Sequence, residues 1–181
     1  MQEWAFMRHG QTDWNAQVRL QGRSDIPLND VGRQQAREAA AQMREAGQVW
    51  DVVVASPLGR AQETAQIVAA ELGISRVLTH EGIVEKDFGG VEGTFLEPLS
   101  QPERRALTEN NGETRQQVQD RAIAAVQELA AAHPGQRLLL VSHGTLIRMV
   151  MSRVTGGEFR RLDNVEVVPF ALEEALAAAG Q

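Results

Sequence analysis

Arginine and histidine stand together at Arg8-His9, at the end of the apolar run Trp4-Ala5-Phe6-Met7. A second arginine, Arg60, falls in the first turn of a helix that follows the apolar run 51–55. A second histidine, His143, follows Leu138-Leu139-Leu140-Val141 and precedes Gly144. Each run reads as a buried strand, so these side chains gather just beyond the carboxyl ends of three strands. Taken singly, each is an ordinary solvated loop side chain, and an Arg-His-Gly triplet is a weak signal. Their joint placement is the stronger one. If the strands are parallel, their carboxyl ends share one edge, where sites of open α/β sheets lie. Two helix N-termini would meet that edge. Free amides at helix starts favour anions, and guanidinium forks suit phosphate oxygens. The set is suited to a phosphoryl group.

The elements that must position it follow from periodicity. A helix is predicted from Asn29 or Asp30 to about Ala46, with Val31, Ala36, Ala39, Ala40 and Met43 on one face and Gly47 as its stop. The stretch before it, from about Asn15 to Leu28, reads as loop. After the strand at 51–55, Ser56-Pro57 offers an N-cap and a first-turn proline, and Leu58, Ala61, Ala65, Val68 and Leu72 make an apolar stripe. A short strand is expected at 76–78, and irregular chain, punctuated by Gly and Pro, over 82–113. A long helix from about Thr114 to Ala132 precedes the 138–141 strand, and another helix carries Leu146, Ile147, Val150 and Val154. Residues 165–170 suggest an edge strand and 171–179 a short helix. Apolar runs without alternation imply strands covered on both faces: an α/β three-layer sandwich, a mostly parallel central sheet with helices on both sides.

The 181 residues fit a single domain over 1–181. Apolar residues make up 43% and charged residues 23%, which excludes a wholly disordered chain. The net charge of −6 argues against nucleic acid or an anionic membrane as partner. No run is long enough to span a membrane, and no secretory signal is visible, so a cytoplasmic location is expected. With no cysteine, thiolate metal sites and a cysteine nucleophile are excluded. His80 and His133 read as surface residues outside any metal-ligand spacing, Asp87 and Glu92 as solvated loop charges, and Arg121 as a surface or ion-pair residue. Glu113 reads as the start of the long helix. Lys86 is the only lysine, so the other 17 of 18 cations are arginines.

The pieces Arg8-His9-Gly10-Gln11-Thr12, Trp14-Asn15 and Gln21-Gly22-Arg23-Ser24-Asp25-Ile26-Pro27-Leu28-Asn29 come in that order. Ser56-Pro57-Leu58-Gly59-Arg60-Ala61-Gln62-Glu63-Thr64-Ala65, then Glu85 with Phe88-Gly89-Gly90-Val91-Glu92-Gly93, follow. Gly112-Glu113-Thr114 and Val141-Ser142-His143-Gly144 complete the series, which spans residues 3 to about 154. The chain resembles the histidine phosphatase superfamily, the phosphoglycerate mutase-like proteins. The resemblance implies that fold, with His9 as a nucleophile that becomes phosphohistidine. It implies that Arg8, Arg60 and His143 hold the phosphoryl oxygens, aided by Asn15, with Gln21, Gly22 and Gly144 also at the substrate. It implies Glu85 as proton donor to the leaving oxygen, with no metal and no cofactor.

The chemistry needs those residue types. Imidazole attacks through an unprotonated nitrogen, and neighbouring guanidinium groups lower its pKa. Fixed cations stabilise charge spread over the transferring group. A carboxyl group of raised pKa can protonate the leaving alkoxide, then deprotonate a water. The interval from Glu85 to His143 is short, with Lys86 and then no cation until Arg104-Arg105, and Gln11 stands where the family's mutases have glutamate. Both features favour a phosphatase acting on small phosphomonoesters over a cofactor-dependent phosphoglycerate mutase, and the full set of site residues disfavours a non-catalytic phosphate-binding module. The loops 11–25 and 86–112 carry Trp14, Leu20, Phe88, Phe95, Leu96 and Leu99 with few cations, which leans toward a mono-phosphorylated substrate with an uncharged or partly apolar body. A homodimer through the 165–170 edge is one option for assembly.

Overall fold

Successive strand residues face opposite sides of a sheet, and β1 (Glu3–Arg8) sends Trp4 and Phe6 one way and Ala5 and Met7 the other. A computed structural model describes residues 3–177. β2 (Val52–Ala55), β3 (Val77–Thr79), β4 (Leu138–Ser142) and β5 (Val167–Ala171) complete a five-stranded sheet in the order β3-β2-β4-β1-β5. β1 runs parallel to β4, β4 to β2 and β2 to β3; β5 is the antiparallel edge strand against β1.

Two cores of different grain lie on its faces. Trp4, Phe6, Val54, Leu138 and Leu140 pack under α5 (Arg115–Ala132), α6 (Gly144–Thr155) and α7 (Leu172–Ala177). Ala5, Ala55 and Met7 meet the alanine-rich faces of α2 (Asp30–Glu45) and α3 (Gly59–Leu72). Each large side chain removed from water contributes about 1.5–3 kcal/mol. A one-residue slip would drive Trp4 into the face built for Ala5, so register is tightly specified. Among the described residues, no helix is long and apolar enough to cross a membrane.

Several local expectations are corrected. Val31 is 52% exposed, because the buried stripe of α2 runs Gly32, Ala36, Ala39–Ala40, Met43. Gly32 takes that face because a Cβ there would lie 2.2 Å from the Gln11 carbonyl oxygen. Asn29 does cap the helix, accepting from the Gly32 amide. α3 begins at Gly59 with Leu58 in the cap position and no side-chain cap, so Ser56 is not its N-cap. The chain bends for three residues after β2, and the Ser56 hydroxyl is turned to His143 instead. A one-turn helix α1 (Asp13–Ala16), started by a Thr12–Asn15 capping box, runs into the segment expected to be loop. The segment expected to be irregular holds α4 (Gln101–Glu109), started by a Ser100–Glu103 capping box with Pro102 in its first turn. Both signals were present in the sequence. The third strand lies one residue later than expected, the edge strand begins at Val167, and the expected helix end at 178–179 lies outside the described residues.

Candidate active site

Parallel pairing sets the site. Arg8 is in register with Ser142, and the amides of His9 and Ser56 donate to the carbonyls of Ser142 and Val141 at 3.0 Å each. β1, β2 and β4 therefore end side by side. His9 and His143 stand with ring centroids 5.2 Å apart, both buried. The one-turn α1 and the first turns of α3 and α6 close around them.

Each His9 nitrogen has one partner. Nδ1 lies 2.7 Å from the Gly10 carbonyl oxygen. A carbonyl only accepts, so Nδ1 carries the proton. Nε2 then holds a lone pair, and Arg60 Nε donates to it at 3.3 Å. Burial first, then the charges of Arg60 and Arg8, hold the His9 pKa well below its ordinary value, so the ring is neutral at neutral pH. Thr64, one turn after Arg60, steadies the Gly10 turn: its hydroxyl accepts from the Gly10 amide at 3.1 Å and donates to the Arg60 carbonyl.

Both arginines are fixed by backbone. Arg60 donates from Nη2 to the Gly22 carbonyl at 2.6 Å and from Nη1 to the Ser24 carbonyl at 2.9 Å. An arginine has no acceptor, so the neighbouring Gln21 amide presents its oxygen, 3.1 Å from Arg60 Nε and Nη1. Arg8 donates from Nη1 to the Leu162 carbonyl at 2.7 Å. Burial is the main cause that brings each guanidinium to a pKa of about 10, still charged at neutral pH. Asn15 lies beside them, its Oδ1 accepting from the Asn164 amide, which also donates to the His9 carbonyl at 3.0 Å. The next residue, Val165, is β-branched at φ 55° and donates its amide to the Arg8 carbonyl. Such a backbone costs on the order of 1–3 kcal/mol and persists only where its surroundings demand it.

Two buried polar atoms here have no partner: Arg8 Nε and His143 Nδ1. His143 Nε2 lies 2.7 Å from the Ser56 hydroxyl, which also accepts from the Leu58 amide. The hydroxyl proton is thus free to go to Nε2, which leaves Nδ1 as an N–H donor. Two donors, one from Arg8 and one from His143, are aimed at nothing in the protein. An oxyanion would satisfy both.

Glu85 is buried on the far side of this group. Oε1 accepts from the Lys86 amide at 2.7 Å and the Leu146 amide at 3.0 Å, and Oε2 from the Thr145 amide at 3.0 Å. Burial raises its pKa, opposed by these amides and by Arg60. Oε1 has both lone pairs engaged, so a proton on this carboxyl resides on Oε2. Arg121 holds the backbone here, donating to the carbonyls of Gly82, Val84 and Glu85. Arg121 is paired with Glu113, as an ion-pair residue should be, but its carbonyl contacts have no sequence signal. Glu113 precedes α5 and also accepts from the Asp87 amide. Glu92 is a clamp rather than a solvated charge: it accepts from the amides of Arg23, Ser24 and Phe88. The buried Lys86 ammonium donates to the carbonyls of Asp87, Asn111 and Glu113. Its place as the only lysine among arginines was the sequence hint, since a compact ammonium fits where a fork would not. Ser56, Thr64, Thr145 and Asn164 went unpredicted; only Thr64, four residues after Arg60 on one helix face, was readable.

Residues 4–177 match the profile of the histidine phosphatase superfamily (branch 1). The chain belongs to that superfamily. Among its relatives within and around it, an uncharacterized phosphatase, PhoE, of Bacillus subtilis is 36% identical over 155 residues, covering 84% of this chain and 77% of that one. Phosphoglycerate mutase-like protein 4 of Arabidopsis thaliana is 37% identical over 158 residues, covering 81% and 68%. A mycobacterial glucosyl-3-phosphoglycerate phosphatase, solved with VO3, superposes with a TM-score of 0.81 at 26% identity, over 94% of this chain and 93% of that one. A phosphoserine phosphatase of Entamoeba histolytica, solved with 3-phosphoglyceric acid, gives 0.78 at 28% identity, over 94% and 91%.

For a histidine phosphatase, the placement of Arg60 by Gly22 is testable. A Cβ at Gly22 would lie 2.1 Å from Glu92 Oε1 and 2.7 Å from the Lys86 carbonyl oxygen. Gly22→Ala should push this loop off Arg60 and weaken inorganic phosphate binding, read by calorimetry, by about tenfold or more. An unchanged affinity would mean that the loop does not set the guanidinium.

Proposed function

We propose that this histidine phosphatase hydrolyses small-molecule phosphomonoesters through a phosphohistidine on His9. The observation that carries the reading is the neutral His9, its Nε2 lone pair against the fixed Arg60 guanidinium, beside the two unpartnered donors of Arg8 and His143. A phosphoryl group bound by those donors has its phosphorus in front of Nε2. In the first step, an Nε2–P bond forms, the ester P–O bond breaks, and the leaving oxygen takes the proton from Glu85 Oε2. In the second, water attacks phosphorus, Glu85 takes a water proton, the N–P bond breaks and phosphate leaves. Arg8 and Arg60 neutralise the developing charge in both. Splitting one displacement into two is the gain of covalent catalysis.

Water rather than a second phosphate ester is the proposed acceptor. The short Glu85–His143 interval supports this, being filled by α4, which buries no residue, and by α5. The phosphatase names among the relatives support it too, while the mutase-like names keep a direct comparison necessary. The test measures phosphate release from an aryl phosphate and from 3-phosphoglycerate in excess chelator, with and without bisphosphoglycerate. Release that survives the chelator and needs no bisphosphate is expected, with competitive inhibition by vanadate. Rapid isomerisation of 3-phosphoglycerate with little phosphate release would replace the reading with a mutase. Strict dependence on added metal would remove the proposed mechanism.

A further inference from the structure

The first turn of α6 abuts Arg8: a Cβ at Gly144 would lie 3.2 Å from Arg8 Nε. Arg148 follows four residues later and shares that helix face. Helical side chains lean toward the helix N-terminus, here the turn whose amides hold Glu85, and the Glu85 charge acts on Arg148. Arg148 is partly buried, yet it makes no hydrogen bond or ion pair with any described residue. A cation withdrawn from water without a partner is costly unless a ligand supplies one.

Two more free guanidinium groups flank it. Arg161 precedes Leu162, whose carbonyl holds Arg8, and its charge is felt by both Arg8 and Arg148. Arg115 opens α5, and its charge acts on Arg148. The side chains of Arg115 and Arg161 also lack partners among the described residues. Glu158 acts on Arg148 but forms no ion pair with it. By contrast, Arg33, Arg121 and Arg137 are committed to carboxylates. Arg115 and Arg161 are exposed, as are the free Arg37 and Arg76, but the latter two lie away from Arg148, one on the outer face of α2 and the other ahead of β3.

We propose that Arg148, flanked by Arg115 and Arg161, receives a second anionic group of the substrate, carried a few bonds from the phosphate ester. The subsite rests on the phosphatase reading and narrows it to phosphomonoesters with a carboxylate or another phosphate. The expectation of an uncharged substrate body came from the few cations in loops 11–25 and 86–112; these three lie outside both, on α5, α6 and the chain after α6.

Two substrate pairs test it. 3-Phosphoglycerate and glycerol 3-phosphate differ by a carboxylate against a hydroxymethyl group; 1,3-propanediol bisphosphate and its monophosphate differ by the second phosphate. Wild type should prefer the anionic member of one pair by at least about tenfold in kcat/KM, and the pair that responds identifies the anion. Arg148→Gln should lower that preference by about tenfold, through KM, with Arg148→Lys restoring part and Arg161→Gln lowering it less. The readout is the ratio, so a variant that is merely less stable does not imitate the result. If Arg148→Gln does not fold, the lysine and Arg161 variants carry the test. No preference in wild type, or a preference that Arg148→Gln leaves intact, overturns the subsite while hydrolysis stands. Failure of wild type to release phosphate from any ester, aryl phosphate included, overturns the parent reading and the subsite with it.

Discussion

His9→Ala is expected to lower turnover of every phosphomonoester by at least about four orders of magnitude, the scale seen when a covalent nucleophile is removed. No other group in the pocket can take its place. His143 presents an N–H donor rather than a lone pair, its Nε2 being engaged by the Ser56 hydroxyl. Burial, then Arg60, holds the His143 pKa well down as well, but a neutral ring facing the anion through N–H is no nucleophile. Phosphate should still bind to His9→Ala, since Arg8 and Arg60 are held by carbonyls and not by His9 alone. The measurement is phosphate release together with acid-labile labelling of the protein by a radioactive ester. Wild type should carry label and the variant none. A labelled, active His9→Ala protein would refute the role.

Glu85→Gln is expected to have the second-largest effect, and one that depends on the leaving group. With an alkyl phosphate, whose leaving oxygen needs a proton, kcat should fall by roughly 10²–10⁴. With an aryl phosphate the first step needs no acid, but the second still needs a base. The variant should therefore release one burst of phenol per site and then turn over slowly. Wild type shows no such split if Glu85 serves both steps. The pH profile follows from the two shifts. His9, with its pKa held below the ordinary value, must be unprotonated, so kcat/KM falls only as the pH drops beneath the usual histidine range. Glu85, with its pKa raised, must be protonated, so kcat/KM on alkyl esters falls as pH rises through that value. Glu85→Gln should abolish the alkaline fall and leave the acid one. The substitution also turns an amide N–H₂ toward the Thr145 amide, or else loses the Leu146 and Lys86 contacts. A stability loss of about 1–3 kcal/mol is expected on that account, visible in thermal unfolding. Equal activity of both proteins on alkyl esters would remove Glu85 from the mechanism.

Much of this arrangement is legible in the sequence. The strands of β1, β2 and β4 are short, apolar and unalternating, which is the pattern of a sheet covered on both faces, and their carboxyl ends carry Arg8, His9 and His143. The helix carrying Arg60 follows β2 directly. Parallel pairing then leaves one place for all four. Capping boxes at Thr12–Asn15 and Ser100–Glu103 are equally local, but the helices they start are short and flanked by glycines and prolines that read as loop. The exposure of Val31 was less accessible: one residue decides which edge of the stripe faces the sheet, and Gly32 takes it because the Gln11 backbone passes too close for a side chain.

The amino-acid order by itself determined which groups reach the sheet edge, because strand and helix are specified by local periodicity, and parallel pairing is insensitive to distant detail. Only the tertiary structure decided the protonation pattern: which His9 nitrogen carries hydrogen, which Glu85 oxygen is open, and which arginines are spoken for. Those depend on hydrogen bonds between segments remote in the chain, such as Glu85 with Thr145 or Arg60 with Gly22. No periodicity encodes such contacts, since each is settled by the loops that packing brings together.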